Sequence, residues 1–159
     1  MNKKGKKVLL VLLTSGTPSS AIDFAVKRAK KENTGLIALY LLETELAKEA
    51  FDRFSDIGFT GDKPSSRLSE SLMKEYRQRG YEELGRVQIK AMEEGVGFEP
   101  LTEEGSYVPA VLGLIDRFDI GTAVLVKRRE RAFLKYFSRS LSADVKKKAP
   151  CEVVIFTEE

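Results

Sequence analysis

Arg128, Arg129, Arg131 and Arg139 lie close together in the chain, and arginine forks are the side chains best shaped to grip phosphate oxygens two at a time. They belong to a stretch, Lys127 to Lys148, that carries nine basic residues against two acidic ones, a local +7 in a chain whose net charge is only +3. Two readings of this stretch stay open. It is either a phosphate clamp or a solvated basic loop, because charge runs commonly form exposed faces and an arginine blocks backbone approach as readily as it attracts an anion. Phe133, Tyr136 and Phe137 interleave with these bases. Aromatics so placed suit stacking on single-stranded nucleic acid or insertion at a membrane surface, yet core or dimer packing explains them with fewer assumptions. No RNA- or DNA-binding motif accompanies them, so neither nucleic acid nor membrane insertion is expected.

Other chemistries are narrowed by composition. The chain has no histidine, which excludes Ser-His-Asp and Cys-His triads, histidine-ligated zinc and histidine general bases. The lone Cys151 cannot form an internal disulfide or a cysteine-rich metal site, and it suits a reducing cytoplasm. Between a proline and an apolar strand it reads as a small buried hydrophobe; as a reactive thiol it would need an exposed, electropositive pocket, to which Lys146, Lys147 and Lys148 could contribute. Asp116 and Asp119 flank a helix end and resemble a pair of acids for general acid/base work. Without a partner set they read as surface carboxylates. No metal site is expected.

These residues must be held by a single domain, since 159 residues leave no room for a second core. The opening MNKKGKKVLLVLLTSGTPSSA imitates a secretory signal. Its apolar run, Val8 to Leu13, is short for that role and fits a buried strand, and no run approaches the ~18 residues of a membrane span. Val8–Leu13, Leu36–Leu42 and Gly121–Val126 are uninterrupted apolar runs, the pattern of parallel strands covered on both faces. Phe98–Thr102 is more polar and contains Pro100, which places it at an edge. Val153–Phe156 is the last strand. Between the strands, Thr17-Pro18 predicts a helix cap followed by proline at the first helical position, with Ala21, Ile22, Ala25, Val26 and Ala29 on one face and Asn33 and Gly35 as the stop. A long helix is predicted from about Leu68 to Glu94, weakened by Gly80 and Gly85. Shorter helices are predicted over Val108–Phe118 and Ser138–Lys148. The stretch Glu43 to Arg67 reads as a partly helical excursion ending in a loop. Alternating strands and helices demand a mostly parallel α/β sheet with helices on both faces. In such sheets ligands sit beyond the carboxyl ends of the strands, where the turn Leu13–Thr17 and the basic loop Lys127–Phe137 fall.

The segments KKVLLVLLTS…SAIDFAVKRAK, FDIGTAVLVKRR and SRSLSADVKKKAPCEVVIF together make the chain similar to the universal stress protein family over nearly its whole length. The resemblance implies an adenine-nucleotide alpha-hydrolase-like fold, with an open five-stranded sheet in the order 3-2-1-4-5. It also implies dimerisation by pairing of the last strands, here Val153, Val154, Ile155 and Phe156, which would cover an apolar edge. Nucleotide-binding members carry an acid at the end of strand one and a G-x2-G-x9-G-(S/T) pattern after strand four, whose glycines let backbone N–H groups approach phosphates. Anchored on Ser140, the alignment puts Val126, Arg129 and Arg139 at the three glycines and Leu13 at the acid. Only Ser15 and Ser140 keep the expected small hydroxyls. The resemblance therefore implies a degenerate site that takes no ATP in the usual manner and needs no cofactor. The expected protein is a cytoplasmic, non-enzymatic homodimer in stress adaptation that acts on an unidentified protein partner. The alternative is a sensor that binds a nucleotide or another phosphorylated anion through Ser15, Ser140 and the arginines, and a weaker one is an enzyme with residual nucleotide hydrolysis.

Overall fold

The computed structural model describes residues 6–14, 16–43, 62–128 and 141–158, with the side chains of 62–69 and 72 set aside. Five strands, β1 (Lys7–Leu12), β2 (Leu36–Glu43), β3 (Phe98–Gly105), β4 (Ile120–Lys127) and β5 (Glu152–Thr157), form one sheet. Every pairing is parallel and the order is β3-β2-β1-β4-β5. Helices α1 (Ser19–Lys31), α2 (Asp62–Glu93), α3 (Tyr107–Arg117) and α4 (Leu141–Lys148) make the connections. Right-handed crossovers put α1 and α2 on one face, and α3 and α4 on the other once the winding reverses after β3.

The continuous apolar runs are explained by this double cover. Val8, Leu10 and Leu12 of β1 face α1 and α2 together with Leu36, Ala38, Tyr40 and Leu42 of β2. Leu9 and Val11 turn to the other face with Ile37, Leu39 and Leu41, against Val111, Leu114 and Ile115 of α3 and Val145 of α4. Successive strand side chains point opposite ways, so a strand buried on both sides has no polar positions left. Ala21, Ala25 and Ala29 are fully buried on α1, and their small size lets the helix axis sit close to the sheet.

The helix stops follow backbone chemistry. Asn33 adopts φ 52° and the Thr34 N–H donates to the Ala29 carbonyl at 2.9 Å. Gly95 at φ 68° closes α2 in the same way, with the Val96 N–H on the Ala91 carbonyl at 2.8 Å. Both are left-handed helix closures that satisfy orphan carbonyls. The expected cap at Thr17 is corrected: the helix starts at Ser19 after Pro18 and has no side-chain cap.

Two further expectations change. Helix α2 begins at Asp62 rather than near Leu68, so Pro64 lies in its first turn, where no intrahelical N–H is required. The rest of the predicted excursion, 44–61, lies outside the described residues. The proposed start of the last helix, 138–140, does so as well. Strand β3 runs past Thr102 to Gly105 and occupies the edge, where Pro100 stands opposite Ala38.

Gly80, expected only to weaken α2, has a packing role. A Cβ there would stand 2.8 Å from Cδ2 of the fully buried Tyr40 ring, whose phenol burial pushes up to about 12. Gly85 faces open space. Gly80→Ala is expected to cost ~1–3 kcal/mol despite alanine's helix preference, whereas Gly85→Ala should gain ~0.5–1 kcal/mol. Denaturant unfolding of the two variants checks the opposite signs.

Candidate ligand crevice

The winding reverses between β1 and β4, so the candidate crevice opens beyond Leu12 and Lys127. Leu13, at the position of the family acid, is 5% exposed and belongs to the core under α1 and α2. Its side chain offers no polar contact. Its N–H donates to Oγ1 of the buried Thr17 at 3.0 Å, and its carbonyl accepts from the Gly16 N–H at 3.3 Å. Thr17 therefore serves the turn instead of the helix end. Gly16 sits at φ 113°, a conformation that requires glycine.

Helix α2 pins the same turn from outside. Arg86 Nη1 donates to the Thr17 carbonyl at 3.1 Å and to Glu83 Oε2 at 2.9 Å, and Nη2 reaches Ser19 Oγ at 3.4 Å. Glu83 is almost buried, and its Oε1 lies 3.7 Å from the point where a Cβ on Gly16 would stand.

On the β4 side, Val126 is buried in the core, 3% exposed, and so lines the sheet instead of the crevice. Arg128 reaches over the mouth. Its Nη2 donates to Thr14 Oγ1 at 3.1 Å and to Glu43 Oε2 at 2.9 Å. Since β2, β1 and β4 are adjacent, the side chain runs from the end of β4 across the end of β1 to the end of β2. The Glu43 side chain is only 10% exposed and that of Arg128 37%. Tyr107, at the start of α3, borders this group: burial holds its phenol above the ordinary range, with smaller effects from Ser142 of α4, Glu43 and Arg128.

Of the predicted site residues, then, Leu13, Val126 and Arg128 lie at the sheet's carboxyl end, and the first two of them are core. Ser15, Arg129, Arg131, Arg139 and Ser140 lie outside the described residues, as do Phe133, Tyr136 and Phe137. Glu43, Glu83 and Arg86 were not anticipated. Glu43 ends the apolar run LIALYLLE, and an acid at the end of a buried strand next to strand one was the available signal; Glu83 and Arg86, three apart on a long helix, carried none.

The remaining candidates behave as surface or core groups. Asp119 takes φ 53° in a turn and pairs with Lys6 at 3.7 Å while 80% exposed. Cys151 is partly buried against the α3/α4 core, and burial raises its thiol pKa, the opposite of an activated thiol. No helix among the described residues is long and apolar enough to cross a membrane.

A parallel sheet in the order 3-2-1-4-5, with a helix pair on each face and the winding reversed between β1 and β4, defines an open, doubly wound α/β fold. The universal stress protein family model matches residues 5–157, and the chain belongs to that family. Solved structures of similar fold include the universal stress protein UspA from Lactobacillus plantarum, 13% identical, with a TM-score of 0.70 over 97% of this chain and 99% of that one. The universal stress protein from Archaeoglobus fulgidus in complex with dAMP is 16% identical, with a TM-score of 0.60 over 96% and 98%. A universal stress protein family protein from Arabidopsis thaliana with AMP bound is 16% identical, with a TM-score of 0.58 over 97% and 92%. No curated protein matches the chain.

The turn itself yields a prediction. Thr17→Val removes the hydroxyl that accepts the Leu13 N–H in this buried turn and should cost ~1–3 kcal/mol. Thr17→Ser should stay within ~0.5 kcal/mol of the parent in thermal unfolding.

Proposed function

We propose that this chain is a cytoplasmic, non-enzymatic, homodimeric stress-response protein whose crevice does not take ATP in the manner usual for its family. The observation that carries the reading is the Arg128 bridge to Glu43 and Thr14. A phosphate entering the mouth would meet the Glu43 carboxylate at short range, and like charges repel strongly where water is partly excluded. The Archaeoglobus and Arabidopsis proteins hold dAMP and AMP, so monophosphates are the relevant competitors to ATP as ligands here.

Action through protein contacts is supported by α2, where Tyr81, Ile89 and Met92 are 71%, 61% and 71% exposed and fall on one side of the helix at 3.6-residue periodicity. Large apolar side chains gathered outside a core mark interaction surfaces. Dimerisation is supported by β5. It bonds to β4 along one edge, and Val154, Ile155 and Phe156 remain only partly buried, a state that pairing with a second β5 across a two-fold axis would complete.

Calorimetry with ATP, AMP and cyclic AMP at moderate salt should detect no binding tighter than ~1 mM. Micromolar ATP binding lost on Arg129→Ala and Arg139→Ala would replace this reading with that of a nucleotide sensor. For the assembly, sedimentation should give a dimer at micromolar concentration, and Val154→Lys should convert it to a folded monomer; a monomeric parent protein would end the strand-pairing proposal.

A further inference from the structure

Glu43 and Arg128 are 85 positions apart in the chain, and their meeting has a consequence beyond closing a gap. The two strand ends that carry them flank β1, so about two strand spacings, ~10 Å, separate the backbones they leave. Arg128 spans that distance with its guanidinium over the end of β1, one Nη2 shared between Thr14 Oγ1 and Glu43 Oε2. Stability gives little reason for such a pair, because a part-buried ion pair contributes little over well-packed apolar residues. What the pair does accomplish is electrostatic: it supplies a carboxylate to the cation that reaches over the mouth.

We propose that Glu43 is a built-in counter-anion, which occupies the anion-binding capacity of Arg128 so that the crevice is self-liganded. The inference rests on the ligand-free reading above and names what enforces it. The groups around the guanidinium fit the role of an oxyanion cradle. Thr14 brings a hydroxyl already bonded to the same nitrogen. Tyr107 brings a buried phenol that feels both charges. With the carboxylate neutralised, the Arg128 guanidinium and the Thr14 hydroxyl bonded to it would be left at the mouth, and the class of ligand they suit is a phosphoryl group.

The test is pyrophosphate and AMP binding, by calorimetry at about 100 mM salt, to the parent protein, Glu43→Gln, and Glu43→Gln combined with Arg128→Ala. Glu43→Gln should bind pyrophosphate at least tenfold tighter than the parent, and the double variant should lose the gain. A comparable gain for AMP would identify a nucleotide phosphate as an equally good occupant; a gain for pyrophosphate alone confines the site to the free anion. Equal binding by parent and Glu43→Gln, no binding by Glu43→Gln, or a gain that survives Arg128→Ala would each overturn the proposal. ATP binding by the parent would instead overturn the ligand-free reading, so the two failures are distinct. Should Glu43→Gln not fold, the Arg128 side-chain N–H signals of the parent decide: slow solvent exchange unchanged by millimolar pyrophosphate supports the lock, and rapid exchange or a pyrophosphate-dependent shift overturns it.

Discussion

The account turns on one guanidinium held between two strand ends. Arg128 reaches Glu43 across the end of β1, because β4 and β2 stand on either side of that strand in a sheet whose two aliphatic faces are covered by helices. The hydrophobic term builds the frame, and the frame sets the distance over which a single charged side chain acts. At the end of β1 the chain puts Leu13 into the core, and the carboxylate at this end of the sheet comes from the neighbouring strand, where Glu43 faces Arg128.

The turn between β1 and α1 reinforces the same outcome by separate means. Thr17 ties the Leu13 amide from within, while Arg86 and Glu83 hold the turn from α2. Gly16 at φ 113° makes the tight course possible. The turn is thus held from two sides, next to the charge pair at the mouth.

How far this was readable in the residues depends on the range of the interactions involved. The strands were, because burial on both faces leaves an uninterrupted apolar run that no other element needs; Asn33 as a stop was, because its left-handed conformation is a local preference; the edge position of β3 was, because Pro100 cannot serve a central ladder. The strand order came with the family resemblance and agrees with the sheet observed. The start of α2 was not readable, since Pro64 and the glycines before it resemble a loop, whereas the first turn of a helix has no use for the one donor that Pro64 lacks. Gly80 read as a weakness because its partner, the Tyr40 ring, is forty residues away. Glu43 escaped for the same reason on a larger scale: nothing near it in the chain announces Arg128.

The most direct measurement is a crystal structure of the protein grown in millimolar adenine nucleotide. The account predicts Arg128 on Glu43 and Thr14, with no nucleotide at the end of β1. Phosphates cradled by main-chain amides, with Arg128 swung away from Glu43, would contradict it.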